Sequence, residues 1–316
     1  MFLNQGGSYA RLANIADGAQ QETIIGGSQQ VSERMAKQLP SGSVHLTSAV
    51  TKIRQDNKCV VATTEDGRVF KAKYAIIALP MNIVGRITYD PPMPAMRDQL
   101  TQRMPMGCVI KVILCYKKAW WKERGLSGEV ISDGQPCISC FFSPFRITLS
   151  LMVFIKVSLM YDKSSHDDHQ PALVGFIGGA NARAWSSKTV HARKQAVLAQ
   201  LRRFYPDVPE ATQPTDYFEH DWAQEQYSRG CYVNIMTPGV MTECGETLRK
   251  PVGRLHWAGS ETGTFFFPFF LGGWLAPQHD RLARKWMAYM DGAVESGVRA
   301  SSEIIERMKQ SRQAKI

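Results

Sequence analysis

Residues 224–234 read QEQYSRGCYVN, and the placing of one thiol in this stretch decides how the rest of the chain is read. Cys231 stands between Gly230 and Tyr232, shortly after Trp222 and next but one to Arg229. A lone cysteine is ordinarily a small, buried, apolar side chain. The stretch therefore acquires a chemical meaning only from the segments that surround it.

The chain of 316 residues is long enough to bury a large core and to divide into two compact units. Hydrophobic content of 44% and charged content of 21% belong to a globular protein and exclude a disordered one. The net charge of +10 is spread along the sequence, with a mild cluster at Arg307, Lys309, Arg312 and Lys315. A nucleic-acid surface would concentrate that charge and interleave it with exposed aromatics, so no nucleic-acid partner is expected. Seven cysteines without a signal peptide suggest a reducing, intracellular compartment. CISC, from Cys137 to Cys140, lacks the second ligand pair that a zinc site needs. SHDDHQ, with His166, Asp167, Asp168 and His169, reads as a polar turn between strands, and no metal is expected. The apolar run FFSPFRITLSLMVFIKVSLM is interrupted by Arg146 and Lys156, so no membrane-spanning helix and no tail anchor are expected.

Outward from Cys231, hydrophobic periodicity marks the elements. Ser28 precedes a helix whose Val31, Met35 and Leu39 recur at helical spacing. SVHLTSAVTKIRQD and CVVATTEDGRVFKAKYAIIALP alternate as strands, with EDG as a hairpin turn. YAIIALP reads as a strand buried on both faces and ended by Pro80. CVIKVILCYKKAWW is a strongly apolar strand that carries Lys111 in its middle, where a buried ammonium would need a polar task. SKTVHARKQAVLAQLRRFYP predicts an amphipathic helix facing inward through Val190, Ala196, Val197, Leu201 and Phe204. GRLHWAGSETGT predicts a strand that stops at Ala258-Gly259. YMDGAVESGVRASSEIIERMKQS predicts a last helix with Val294, Val298, Ile305 and Met308 as its inner stripe.

Taken together, the segments GGSQQVSERM, AKYAIIALP, YDPPMPAMRDQL, MPMGCVIKVILCYKKAWW, PALVGFI, DWAQEQYSRGCY, GRLHWAGSET and YMDGAVESGVRAS resemble, in order, the flavin-containing monoamine oxidase family. The resemblance implies an α+β or α/β chain holding part of the FAD-linked amine oxidase fold. It implies a discontinuous FAD-binding part and a substrate domain built on a mixed sheet. The implied organisation is a substrate-domain remnant at 1–25, FAD-binding parts at 26–100 and 225–307, a substrate-binding domain at 101–224, and a helix end at 308–316.

The resemblance also implies roles. Cys231 matches the cysteine whose sulfur is joined to FAD, a step that needs a thiolate. Tyr232 and Tyr289 match the two tyrosines that flank the substrate amine. Lys111 matches a lysine that holds a water near the flavin, and these three form the implied catalytic set. Gly175 and Phe176, with the two tyrosines, match the substrate pocket. Trp222, Val50, Gly259, Ser260, Glu261 and Met290 match cofactor contacts, the last at the start of a helix whose N–H groups favour negative charge. Phe176 and Trp222 also fit an ordinary core. Implied partners are an amine and O₂, with a homodimer and the mitochondrial outer membrane admitted by the family.

Four departures accompany the match. No βαβ segment with GxGxxG appears. Arg229 replaces a glycine, at a cost of about 1 kcal/mol or more if the turn requires positive φ. Ala288 replaces another glycine, beside Tyr289. Runs at 142–159 and 265–283 read as insertions, either genuine or retained intron. The expected activity is oxidation of an amine to an aldehyde through an imine, with H₂O₂ as coproduct. The alternatives are an inactive fragment or incomplete gene model, or a related flavin oxidase acting on a polyamine or another substrate.

Overall fold

The computed structural model describes residues 22–132, 157–165, 167, 169–263 and 289–313. The CISC run and the core of both suspected insertions lie outside these residues. The chain divides into two compact units: residues 1–105 with 233–316, and residues 106–232. Cys231 and Tyr232 accordingly belong to the second unit, not to the 225–307 segment expected for the FAD-binding part.

The first unit opens with α1 (Gln29–Lys37), which forms where periodicity predicts it. Ser28 makes no side-chain cap, and none of the helix is buried, so Val31, Met35 and Leu39 do not form an inner stripe. Strands β1 (Val50–Gln55), β2 (Val60–Thr64) and β3 (Val69–Ala72) form an antiparallel meander. EDG makes its hairpin turn, with Gly67 at φ +83° and its N–H on Thr64 O at 2.9 Å. β4 (Ala75–Ile77) follows, with Ile76 40% exposed, so it is buried on one face and not on both. After the short helix α2 (Met81–Val84), β5 (Thr88–Asp90) pairs in parallel with β1 and gives a mixed sheet in the order β3-β2-β1-β5. α3 (Ala95–Arg103) closes this part.

The second unit is one five-stranded antiparallel sheet with helices on one face. Its strands are β6 (Val109–Cys115), β7 (Val130–Ile131), β8 (Val157–Asp162), β9 (Ala172–Gly178) and β10 (Asp216–Asp221), in the order β10-β6-β9-β8-β7. Along β6, Ile110, Val112 and Leu114 are fully buried and alternate with half-buried Val109, Lys111, Ile113 and Cys115. The strand is therefore two-faced. Its buried face joins Leu173, Ile177 and Met160 of the sheet. That core also contains α4 (Trp120–Glu123), α5 (Gly179–Ser186) and α6 (Val190–Phe204), through Trp121, Trp185, Val197 and Leu201. Thr189 caps α6 through its side-chain oxygen on Ala192 N at 3.2 Å. Val190 and Phe204, expected inward, are exposed. Arg193 is buried instead, pairing with Glu219 and donating to carbonyls at the end of α5.

The chain then returns to the first unit through α7 (Val240–Cys244) and β11 (Leu255–Trp257), which pairs in parallel with β4. Leu255 and Trp257 complete a core with Met81, Val84, Leu100 and Met104. α8 (Met290–Gln313) runs past β11, and His256, fully buried, binds Glu303 of α8 at 2.7 Å. Its buried residues are Gly292, Ser296 and Ala300, whereas Val294, Val298 and Ile305 are more than half exposed. The expected inner stripe is thus the outer one. Small side chains allow the helix backbone to approach the Ser260–Thr262 turn, which bulkier residues would hold off.

Candidate active site

The loop that carries Cys231 begins where β10 ends. The Asp221 carboxylate accepts from Ala223 N at 3.0 Å and starts a single turn, Trp222–Gln224. Arg229 N–H donates to Glu225 O at 2.7 Å, and Arg229 takes φ +54°. The turn does require a left-handed residue where this chain has arginine, and that conformation costs roughly 1–2 kcal/mol for a side chain with Cβ. Gly230 follows at φ +140°, and a Cβ on it would lie 2.2 Å from Gly107 O. Gly107 is the counterpart: a Cβ there would lie 2.4 Å from Cys231 O. Two glycines thus let two backbones touch, and Cys231 N–H donates to Gly107 O at 3.0 Å.

This seat sets the chemistry of the thiol. Burial pushes the Cys231 thiol up to about 11, with Cys108 and Asp221 adding to the rise and Lys111 opposing it. The cation that favours the thiolate is thus Lys111, and burial outweighs it.

The face of the second unit's sheet turned away from its helices carries the aromatic groups. Lys111 lies opposite Phe176 on β9 and His220 on β10. Its Nζ stands 6.0 Å from the centre of the Phe176 ring. Phe176 stacks on Tyr161 with ring centres 5.9 Å apart and meets Tyr232 at 5.9 Å. Tyr232 is 66% exposed, and Trp222 packs edge-on against His220 at 4.6 Å. Lys111, Phe176, Tyr232 and Cys231 are thus brought together. Gly175 is on the opposite face, where a Cβ would meet Val157, Val112 and Met160 at 2.9–3.2 Å. Its role is to close the core, not to line the side that Phe176 faces.

The first unit holds the other implied residues. Val50 opens β1. After β11, Gly259 turns at φ +116° and its N–H donates to Ser296 Oγ at 2.9 Å. The Ser260 hydroxyl donates to Glu261 at 3.1 Å. Glu261 is buried and accepts from Asn234 N at 3.1 Å. Asn234, fully buried, binds Met81 N, Asn82 and Met104 O at 2.7–3.0 Å. Arg299 donates to Trp257 O at 2.8 Å and binds Glu303 at 2.7 Å. Tyr289 precedes α8, its phenol pushed up by burial, and Met290 begins the helix.

Sequence reasoning missed Tyr161, Gly107, Asn234 and Arg97. Tyr161 could have been found from the alternation of β8, which puts it on the face of Leu159. Arg97 is fully buried with its guanidinium 3.8 Å from the Trp257 ring centre, and burial lowers its pKa to about 10. Nothing local in its helix announces this.

Comparison with known proteins bears on what this arrangement does. A family model described as flavin containing amine oxidoreductase matches residues 2–273. The chain is 41% identical, over 98% of its length, to "Probable flavin-containing monoamine oxidase A" of Dictyostelium discoideum. It is 35% identical, over 97% of its length, to flavin-containing amine oxidase B of Canis lupus familiaris. It spans 59% and 51% of those two proteins. Among solved structures, cyclohexylamine oxidase from Brevibacterium oxydans IH-35A superposes with TM-score 0.79 at 28% identity, over 98% of this chain and 59% of that one. Putrescine oxidase, solved bound to putrescine, superposes with TM-score 0.78 at 29% identity, over 96% of this chain and 58% of that one.

Proposed function

The chain belongs to the family of flavin-containing amine oxidoreductases, and on that premise we propose that it supplies the substrate face and the flavin tether of an amine oxidase. The overall reaction takes an amine, O₂ and water to an aldehyde, an ammonia equivalent and H₂O₂, through an imine that water hydrolyses. The observation that carries this reading is the grouping of Lys111, Phe176 and Tyr232 on one open sheet face beside Cys231.

Family membership implies a flavin, and the residues present fit one. Gly230 and Gly107 pack backbone to backbone and hold the half-buried Cys231 thiol in place. In the first unit, the Gly259–Glu261 turn is pinned by Ser296 and Asn234. FAD would be held covalently through the Cys231 sulfur, with Trp222 beside it, and by Val50, Gly259, Ser260, Glu261 and Met290 in the first unit. When bound, it supplies the two-electron acceptor for amine oxidation.

The chain's own side chains do the rest. The Phe176 and Tyr232 rings offer π faces that attract an approaching ammonium and exclude water from it. Partial burial and the nearby Lys111 charge then favour the neutral amine, the form with a free lone pair. The Lys111 ammonium donates to a water kept on this face. Tyr289 completes the aromatic flanking that the family implies.

The test is chemical. The protein is prepared with FAD, denatured in acid, and digested, and the flavin-bearing peptide is mapped by mass. Flavin on the peptide that contains Cys231 is the expected result. Complete release of flavin, or attachment at another cysteine, overturns the tether. A second reading, oxidation of a diamine, is favoured by the likeness to a putrescine-bound oxidase, and the charge on the open face separates the two.

A further inference from the structure

The open face carries a second lysine that the matched motifs do not include. β8 alternates across the sheet, so Leu159 and Tyr161 share the face of Phe176, and the Tyr161–Phe176 ring stack at 5.9 Å fixes this. The next residue on that side is Lys163. Its backbone stays registered beyond the strand end, with Lys163 N–H on Ala172 O at 2.8 Å. Lys111 flanks the same aromatic pair from the other side, 6.0 Å from the Phe176 ring centre. The pair thus has Lys111 beside it on one side and Lys163 next along the strand on the other. Burial, and then the Lys111 charge, lower the pKa of Lys163.

Among the described residues, two nearby carboxylates are engaged elsewhere. Asp162 points to the opposite side, where it holds Ser164 at 2.6 Å and faces Lys122 at 3.4 Å. Glu225 pairs with His220 at 3.0 Å.

We infer that Lys163 is a specificity-determining residue, which places a positive charge beyond Tyr161 and turns away substrates with a second cationic centre. This inference rests on the reading of the open face as an amine site. An amine whose reacting end lies by Lys111 and Tyr232 extends its far end along Phe176 and Tyr161 toward Lys163. An apolar tail meets ring faces and the methylenes of the lysine. A terminal ammonium meets like charge there and is repelled, most strongly at low salt. An acceptor or anionic tail is drawn in.

The probes are hexylamine and hexane-1,6-diamine, which differ by one ammonium at the far end. Each is titrated into the full chain carrying ¹³C-labelled tyrosine, and the Tyr161 and Tyr232 ring signals are followed by NMR. Hexylamine is expected to bind about five-fold more tightly than the diamine at low salt, with the ratio shrinking as ionic strength rises. Lys163→Arg keeps the ratio, Lys163→Ala narrows it, and Lys163→Glu reverses it. A ratio that is unchanged in Lys163→Glu, or equal binding of both probes to the parent chain, overturns the inference and leaves the amine site standing. If neither amine moves either tyrosine signal, the amine site itself is wrong and the inference falls with it.

Discussion

Arg229 and Gly230 are consecutive residues that both adopt positive φ, yet they answer to different constraints. At Arg229 the constraint is conformational alone, because the side chain points to solvent. Arg229→Gly removes a cost of about 1–2 kcal/mol and gives back about 0.5–1 through the freer unfolded chain. A small net stabilisation, under about 1 kcal/mol, is expected in urea unfolding. At Gly230 the constraint is space, since any Cβ would overlap Gly107 O. Gly230→Ala should cost about 3 kcal/mol or more, by forcing apart two backbones joined by a hydrogen bond. A cost under 1 kcal/mol would show that the contact is loose.

Cys231 gives the prediction in pH. Its thiol is raised from 9.0 to about 11, so the folded chain keeps a proton that the unfolded chain releases above pH 9. This contribution to stability is complete below pH 9 and is lost as pH climbs toward 11. Alkylation by iodoacetamide, followed on the Cys231 peptide, should keep accelerating past pH 9 and level off near 11. Lys111→Gln should move that inflection higher still, because a thiolate-favouring charge is removed. An inflection at or below pH 9 would contradict the burial argument. At this scale the sequence was informative about identity and poor about environment. Cys231 could be singled out from its neighbours, but its acidity depends on Cys108, Asp221 and Lys111, which only the sheet brings close. Asn234 was invisible, since its partners Met81, Asn82 and Met104 are distant in the chain.

Among the elements, α8 shows how periodicity can locate a helix and misassign its face. Apolar residues at helical spacing normally point inward. Here Gly292, Ser296 and Ala300 occupy the inner positions, and Ser296 serves as an acceptor for Gly259 N. The inner stripe needed close approach, and a volume rule cannot express that. Ala300→Leu should cost about 1–3 kcal/mol by overpacking, whereas Val298→Lys should stay within about 0.5 kcal/mol. Denaturant midpoints of the two variants decide the matter, and a larger loss at Val298 would reverse the assignment of faces. β6 misled in a related way. Its composition is apolar on both sides, yet its half-buried side carries Lys111 to the aromatic group. The EDG hairpin, by contrast, was fully legible, because local turn chemistry determines it and no distant partner is needed.

For the whole molecule, division into two units was expected, and their strand order was not. Which strand pairs with which depends on contacts far apart in sequence, as when Leu255 pairs with Ala75. The second unit has a complete core of its own, from Ile110 to Ala211. A polypeptide of residues 106–232 is expected to unfold in urea in one cooperative transition. A broad, non-cooperative profile would show that this core does not stand alone. Leu201→Ala in that polypeptide should cost about 2–5 kcal/mol, the usual range for a fully buried leucine.

The hydrogen bond from Cys231 N–H to Gly107 O joins the second residue of that unit to its second-last. The chain therefore enters and leaves the unit through one doorway, and the doorway is where Cys231, the proposed tether, sits. A segment with adjoining ends can be lifted out and replaced as a cassette. Exchange of residues 106–232 for the matching stretch of a relative would transplant Lys111, Tyr161, Lys163, Phe176, Cys231 and Tyr232 in a single step. The proposed amine face would then be inherited as one block, separately from the residues around Gly259 and Asn234. Diversification of that face can thus proceed by recombination at two closely spaced splice points.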